Sequence, residues 1–282
     1  MRSVLVPFFS VITSTYNAAA TLPRLLDSLS AQTCRDFNWI VQDGASTDAT
    51  MEIVERYRPR LPAVLAESVK DNGIYTAWNR ALDRAGEQLG QWVLFLGGDD
   101  LLAADDTLER VQQFLLRQPE HLLFCCGHLE EFYDDPMHGH KIFFDLNFAL
   151  RRMKYGMSFL HPALFHAQKL FYTERFSEKY AISSDYEFLL RMRSHRKDYI
   201  VFDGFVTKMS QFGISQTNKK KADFESDLIR KQYFPFFYHI INFFWWMKAQ
   251  LGKTTLGGLL WKKVSAMRAT AVRRLDKILN RS

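Results

Sequence analysis

Short apolar runs alternate with helical periods through the first 127 residues of this chain, and this alternation limits the folds open to it. The predicted strands cover residues 4–13, 37–42, 62–68 and 91–96. The predicted helices are one that begins after Thr21 and two more over residues 50–58 and 74–85. Such alternation predicts an α/β fold with a mostly parallel sheet flanked by helices on both faces.

Beyond residue 127 the alternation stops. Residues 128–146 predict a hairpin, residues 184–196 a helix and residues 199–205 a strand. A run of lysines at 219–221 predicts a linker. We therefore divide the chain into a domain over residues 1–218 and a tail over residues 219–282.

The composition excludes several classes of protein. The 282 residues are 47% hydrophobic and 24% charged, which excludes a disordered or fibrous chain. The cysteines Cys34, Cys125 and Cys126 are odd in number and two are adjacent, which argues against a disulfide framework. The sequence contains no CxxC pair, the spacing that is typical of a zinc site. We therefore expect a reducing, cytoplasmic compartment.

The net charge of +6 is concentrated towards the C-terminus. Residues 231–282 hold ten Lys and Arg against the single acid Asp276, whereas the rest of the chain is slightly acidic. A nucleic-acid-binding protein more often carries its basic patch on the folded module itself. We therefore expect no nucleic-acid partner.

Residues 233–247 read YFPFFYHIINFFWWM, an aromatic segment of 15 residues. A membrane span needs about 20 apolar residues, so this segment is too short to cross a bilayer. Aromatic residues followed by cations are typical of a helix that lies in the membrane interface. We predict that the tail is a basic amphipathic helical extension on the inner face of the cytoplasmic membrane. A helix packed on the body and a homodimer contact are the alternatives.

Polar clusters follow four of the predicted strands, at the point where each strand ends. They cover residues 13–17 (TSTYN), 43–48 (DGASTD), 70–73 (KDNG) and 97–100 (GGDD). Because ligands bind outside the carboxyl ends of parallel strands, the clusters predict one ligand site at this edge of the sheet.

The adjacent acids Asp99 and Asp100 are candidate ligands of a cation at this edge of the sheet. Two neighbouring carboxylates repel each other, and a divalent cation removes that repulsion. Oxygen ligands suit Mg²⁺ or Mn²⁺, which bind through one or two carboxylates and substrate phosphates. Gly97 and Gly98 allow a ligand to approach the backbone, although the same four residues also make a good turn.

Two other classes of enzyme are excluded because residues that they require are missing. A phosphatase with an aspartyl nucleophile at Asp43 would need a second acid two residues later, where this chain has Ala45. A dinucleotide-dependent dehydrogenase would need GxGxxG after the first strand, and that fingerprint is not there. Asp48, in contrast, fits a simple helix cap.

The segments TSTYNAAATL, VQDGASTDAT, KDNGIYTAWNRAL and FLGGDD, in this order and spacing, resemble the family 2 glycosyltransferases of the GT-A fold. The chain is similar in particular to bacterial enzymes of colanic-acid, O-antigen and exopolysaccharide assembly. The resemblance covers roughly residues 8–215. It implies a Rossmann-like sheet with a donor half over residues 1–127 and an acceptor half over residues 128–218.

The resemblance also implies a nucleotide-sugar donor, a UDP-sugar by default. In this family the acid after the second strand, here Asp43, contacts the base of the nucleotide. The acid pair holds the ribose and Mn²⁺ or Mg²⁺, with Asp100 favoured over Asp99 as metal ligand. This chain has GGDD where DxD or NSDD is common, so Gly98 lacks the polar side chain of those forms. The implied donor-binding residues are Thr13, Ser14, Thr15, Tyr16, Asn17, Asp43, Gly44, Ser46, Lys70, Asp71, Gly73, Ile74, Asn79, Gly98 and Asp99.

Later segments extend the resemblance to the acceptor side. HPALF places His161 there, and AISSDYE implies Asp185 as the catalytic base with Glu187 as the alternative. A carboxylate at a helix start is also a common cap. Residues 211–215 resemble a loop that closes over the donor.

These observations predict an inverting, metal-dependent transfer to a hydroxyl group of a lipid-linked saccharide. A nucleotide-sugar-binding protein or a hydrolase without transferase activity would use the same donor site. A membrane scaffold would leave the four polar clusters unexplained.

Overall fold

The computed structural model describes residues 6–133, 135–213 and 217–239. Within them the strands are β1 (Phe9–Thr15), β2 (Phe37–Asp43), β3 (Val64–Ser68), β4 (Trp92–Phe95), β5 (Leu101–Leu102), β6 (Phe124–Phe132), β7 (His140–Ile142), β8 (Leu164–Ala167) and β9 (Tyr199–Ser210). The α-helices are α1 (Leu22–Ser30), α2 (Thr50–Tyr57), α3 (Ile74–Ala85), α4 (Thr107–Leu115), α5 (Leu146–Arg152), α6 (Ser184–Arg191) and α7 (Lys219–Tyr233).

The strands form one sheet in the order β3-β2-β1-β4-β8-β6-β9-β5, with β7 paired to β6. The first four are parallel, as the alternation predicts. The other half is mixed, because β8 runs antiparallel to both β4 and β6 while β6 and β9 are parallel. The sheet is therefore uniformly parallel only where the polar clusters lie. The hairpin expected over residues 128–146 is the antiparallel pair of β6 and β7.

Helices cover both faces of this sheet. One face packs on α1, α2 and α4 through a buried cluster that includes Leu25, Val54 and Val111. The other face packs on α3 and α6 through a cluster that includes Trp78 and Phe188. Strand β2 is buried along its whole length, as expected for a strand that helices cover on both sides.

The predicted helices are close to the observed ones because their apolar spacing is that of one helix face. Leu22, Leu25, Leu26 and Leu29 are fully buried on α1, and full burial of a leucine contributes roughly 2 kcal/mol. The helix begins where predicted, but Thr21 does not cap it through its side chain. Its hydroxyl donates to the carbonyl of Ala18 instead, at 3.4 Å.

The C-terminal region departs from the prediction at its first residues. The lysines at 219–221 form the first turn of α7, not a linker. Helix α7 packs on the body, where Ile229 is fully buried. Residues 240–282, which carry most of the predicted tail, and residues 214–216 of the predicted closing loop lie outside the described residues. Within the described ranges, no helix is long and apolar enough to span a membrane.

Candidate active site

The loops after β1 and β2 are tied to each other at the edge of the sheet. The Asn17 backbone N–H donates to the Ser46 hydroxyl at 2.8 Å. The Thr47 N–H donates to the Asn17 side-chain oxygen at 2.9 Å. Asn17 and Ala45 both adopt positive φ angles, 50° and 64°, which non-glycine residues adopt rarely. The two predicted clusters thus form one surface, on which Tyr16 is exposed.

Asp43 lies directly beneath this surface and is completely buried. Its carboxylate accepts hydrogen bonds from the hydroxyls of Thr15, Ser46 and Ser68 and from the Ser46 backbone N–H. Burial acts to raise the pKa of Asp43, but these hydrogen bonds outweigh it and hold the pKa below its usual value. Asp43 is therefore an ionised carboxylate whose hydrogen bonds hold three loops together. Its direct contact with the nucleotide base stays a prediction.

The cluster after β3 meets the same surface. A side chain at Gly44 would place its Cβ 3.2 Å from an Asp71 carboxylate oxygen, so the two loops touch. The other Asp71 oxygen accepts the Gly73 N–H at 2.9 Å. Gly73 has φ +125° and ψ −179°, a conformation essentially limited to glycine. This turn starts α3 at the edge of the sheet, with Lys70 exposed and Ile74 half-buried beside it.

The acid pair follows β4 and reaches the end of β9. Asp100 is 5% exposed, and its two oxygens accept the N–H groups of Gly97 and Ser210 at 3.0 and 3.1 Å. A Cβ at Gly97 would lie 2.7 Å from an Asp99 oxygen, so glycine leaves room for both acids. Gly98 lies in contact distance of the first loop.

The electrostatics of the pair suit a cation. Burial, followed by the neighbouring Asp99 charge, raises the pKa of Asp100 to about 8. Burial also raises the pKa of Asp99, against the opposing effects of Ser210 and Arg24. A bound divalent cation would favour the ionised form of both carboxylates.

The donor set fits Mg²⁺ or Mn²⁺, which Asp99 and Asp100 would hold. Among the residues that the structure describes, no group of three or more His, Cys, Asp and Glu side chains gathers around one point. Two carboxylates completed by substrate phosphates form the arrangement that Mg²⁺ commonly uses.

Asp185 lies in the first turn of α6 and contacts α3. Its Oδ1 accepts the Tyr75 hydroxyl at 3.0 Å and the Tyr186 N–H at 2.8 Å. Its Oδ2 accepts no hydrogen bond from the residues described. Burial raises the pKa of Asp185 to about 6, against the opposing hydrogen bonds. A half-buried carboxylate with a raised pKa, one oxygen of which has no hydrogen-bond donor in the part of the chain described, can take up a proton near neutral pH.

Comparison with known proteins identifies the family. A profile described as glycosyl transferase family 2 matches residues 10–177, which is more than half of the chain. This chain is a family 2 glycosyltransferase.

The glycosyltransferase is similar to a PGL/p-HBAD biosynthesis glycosyltransferase of Mycobacterium tuberculosis, with 35% identity over 192 residues that cover 67% of this chain and 71% of the relative. Its fold is similar to that of residues 1–349 of TarS from S. aureus in complex with UDP-GlcNAc, with a TM-score of 0.61 and 24% identity. The similarity covers 74% of this chain and 60% of that structure. A mannosyltransferase from Pyrobaculum calidifontis in complex with GDP-Man and Mn²⁺ has a TM-score of 0.57 at 20% identity, over 96% and 83% of the two chains. These structures confirm the GT-A fold.

Two residues expected to bind the donor have side chains that are used inside the protein. The Thr13 hydroxyl is fully buried and accepts the Trp39 indole N–H at 3.0 Å. The Asn79 amide is bonded to both the N–H and the carbonyl of Phe176. Alternation along β1 turns Thr13 into the core, and Asn79 anchors the loop before α6. Their side chains are structural in this fold.

The two acceptor-side residues other than Asp185 are also buried. His161 stacks on Trp78, and burial lowers the pKa of its imidazole to about 3, so it is neutral. Glu187 is paired with Arg191 and accepts the Tyr233 hydroxyl. This bond joins α6 to α7, and the acceptor-side role of Glu187 stays a prediction.

The sequence reasoning missed three residues that hold the site together. Tyr75 lies within the quoted KDNGIYTAWNRAL segment, and its position one residue into a helix could have drawn attention to it. Ser68 ends a strand beside a cluster, which is a similar signal. Glu225, which binds the loop before Asp185, lies in the tail and carries no local signal at all.

Proposed function

We propose that this glycosyltransferase transfers a sugar from a nucleotide sugar, by default a UDP-sugar, to a hydroxyl group of a lipid-linked saccharide, with inversion at the anomeric carbon. The observation that carries the proposal is the Oδ2 of Asp185, which accepts no hydrogen bond from the described residues and lies beside α3, a helix that begins among the donor clusters. The name of the mycobacterial relative, a biosynthesis glycosyltransferase of PGL and p-HBAD, and that of TarS, a poly(ribitol-phosphate) beta-N-acetylglucosaminyltransferase, support a biosynthetic transfer to a larger acceptor.

The chemistry follows from the position of this oxygen. Asp185 Oδ2 takes the proton of the acceptor hydroxyl while the oxygen of that hydroxyl attacks the anomeric carbon of the donor. The bond from that carbon to the diphosphate oxygen breaks, and the nucleoside diphosphate leaves with the bonding electron pair. Attack opposite the leaving group in a single step inverts the configuration.

Negative charge develops on the leaving diphosphate, and the donor clusters are suited to meet it. The N-terminus of α3 presents backbone N–H groups and the positive end of the helix dipole at the edge of the sheet. Lys70 is an exposed cation beside it. A divalent cation held by Asp99 and Asp100 would supply Lewis-acid stabilisation of the same charge.

The test is a panel of UDP-, GDP- and dTDP-sugars with Mn²⁺ or Mg²⁺, assayed with and without a bacterial lipid extract. We expect release of the nucleoside diphosphate to depend on the extract and the product to have inverted anomeric configuration by NMR. Equal release without any acceptor would instead indicate a hydrolase. Retention of configuration would overturn the proposed mechanism.

We further propose that α7 attaches the enzyme to the inner face of the cytoplasmic membrane. Phe224 and Leu228 are 64% and 40% exposed, one helical turn apart on the same side of α7. Exposed lysines at 219–221 and 231 flank them. Cations near an anionic surface contribute about 1 kcal/mol each, and exposed aromatic residues insert into the interface.

Sedimentation with vesicles of anionic and of neutral phospholipid tests this attachment. We expect binding to anionic vesicles that falls with salt and is weakened in the variant Phe224→Ser with Leu228→Ser. A double variant that binds as well as the wild type would contradict the proposal. A concentration-dependent dimer that the same variant disrupts would assign the surface to a homodimer contact instead.

A further inference from the structure

A carboxylate from α7 binds the loop that leads into α6. Glu225 accepts three consecutive backbone N–H groups, those of Ala181 at 3.0 Å, Ile182 at 2.8 Å and Ser183 at 3.0 Å. The residue is only 6% exposed. Burying a carboxylate is costly unless it is well hydrogen-bonded, and three charge-assisted bonds meet that requirement. The loop therefore has a fixed backbone conformation for as long as α7 is packed against it.

Ser183, the residue directly before α6, also contacts α7 through its side chain. Ser183 precedes the helix and is of the type that caps helices well. Its hydroxyl instead donates to the Ala222 carbonyl at 3.2 Å and lies 3.3 Å from the Ser226 hydroxyl. Both of those partners belong to α7. The backbone that leads into α6 is thus held by α7, through a residue 42 to 44 positions away in the sequence.

The loop is held from its opposite side by α3. The Tyr75 hydroxyl lies 2.6 Å from the Ile182 carbonyl oxygen and 3.0 Å from Asp185 Oδ1. The titratable groups that face Asp185 in the described structure are therefore Tyr75 from α3 and Glu225 from α7. Together they fix where Asp185 Oδ2 lies.

We propose that Glu225 is a positioning residue for Asp185, so that helix α7, which lies beyond the region that matches the family, completes the catalytic site. The inference rests on the proposed role of Asp185 as the base. Glu225 itself touches neither donor nor acceptor. It sets the orientation of the first turn of α6 and places a negative charge close to the base.

The test is the isosteric variant Glu225→Gln, which keeps the size of the side chain but removes its charge. We expect kcat to fall about 10- to 100-fold, the range for a small displacement of a catalytic group. We expect donor KM to change less than twofold, because the donor clusters are untouched. The acid limb of the kcat–pH profile should move to lower pH, since the Glu225 charge acts to raise the pKa of Asp185.

A second variant and a control separate position from charge. Glu225→Asp keeps the charge but shortens the side chain, so kcat should fall while the acid limb stays closer to that of the wild type. Asp223→Asn, an exposed position on the same helix, should change neither quantity. Folding of each variant is checked by its thermal transition, and rates are expressed per folded enzyme.

Asp185→Asn measured in the same assay distinguishes the two proposals. If Asp185→Asn retains transfer, the base assignment fails and the positioning role fails with it. If Asp185→Asn is inactive while Glu225→Gln keeps the wild-type kcat and pH profile, only the role of Glu225 is overturned. Lower stability of Glu225→Gln with an unchanged profile per folded enzyme would also overturn it, because it would show a purely structural contact.

Discussion

The two halves of the active site are built in different ways. At the donor edge, each loop is a short continuous segment, and the loops bond to their neighbours, as Asn17 does to Ser46 and Thr47. At the proposed catalytic base, Tyr75, Asp185 and Glu225 come from three distant parts of the chain. The donor edge is therefore visible as motifs, whereas the base site exists only after the helices have packed.

Asp43 and Asp185, one carboxylate from each region, differ in what sets their pKa. Asp43 accepts four hydrogen bonds, which hold its pKa below the usual value despite burial. Asp185 is dominated by burial, which raises its pKa to about 6. One carboxylate is fixed in its charged form and organises structure, and the other is able to exchange a proton. The expected effects of substitution follow this difference.

The largest effect is expected at the base. Asp185→Asn should lower kcat by about 10²- to 10⁴-fold, the usual contribution of a general base, with little change in donor affinity. Rates and donor binding by calorimetry check this. The same variant should be more stable than the wild type above pH 6, because burial disfavours the charged carboxylate that asparagine replaces. A variant that keeps transfer within tenfold of the wild type would reassign the base.

The acid pair at the donor edge should come next. Asp100→Asn should lower kcat/KM by about 100-fold or more and weaken activation by Mn²⁺, because Lewis-acid stabilisation contributes several kcal/mol. Manganese titration of the activity measures this. Asp105→Asn, an exposed acid five residues later, is the control and should behave like the wild type. An unchanged manganese dependence in Asp100→Asn would remove the pair from the metal site.

Acid pH should protonate Asp185 before it protonates Asp43. Since the pKa of Asp185 is raised to about 6, kcat should fall about tenfold per pH unit below pH 6 as the carboxylate becomes protonated. Asp43, with its lowered pKa, stays ionised in that range. Saturating Mn²⁺ would keep Asp99 and Asp100 ionised as well, so donor binding measured with Mn²⁺ should persist. Parallel measurements of kcat and donor affinity from pH 5 to 8 check this. Loss of both at the same pH would contradict the contrast.

The two ends of α3 offer a matched pair of glycine substitutions. Gly73 and Gly86 both have positive φ angles, +125° and +47°, so alanine at either position should destabilise the fold by about 1–3 kcal/mol. Only Gly73→Ala should also weaken donor binding, because Gly86 lies at the far end of the helix. Thermal unfolding and donor titration separate the two effects. Equal donor affinity in both variants would place the donor away from α3.

The smallest effect is expected at Ser68. Ser68→Ala removes one of the hydrogen bonds to Asp43, which should cost about 1 kcal/mol of the free energy of unfolding. The loss should be greatest at neutral pH and smaller in acid, because an acid whose pKa is lowered by folding stabilises only while it is ionised. Denaturant unfolding at pH 7 and at pH 3 measures this. An equal loss at both values would show that Ser68 does not act through the Asp43 charge.

Sequence patterns located most of the donor edge because strand-end clusters follow apolar runs that can be recognised one at a time. They were less informative about individual side chains. Thr13 and Asn79 lie within correct motifs, yet both point into the protein, since the face on which a residue lies depends on the exact register of its strand or helix. The mixed half of the sheet was also not evident, because the strands after residue 127 pair with partners far away in the chain.

The sequence by itself determined the parallel half of the sheet and the acids at its edge, since local periodicity and strand-end position suffice to bring those clusters together. Only the tertiary structure decided that a helix from the tail reaches back to Asp185. The hydrogen bonds of Glu225 join residues more than 40 positions apart. No local pattern encodes such a contact, because it depends on how α3, α6 and α7 pack against one another.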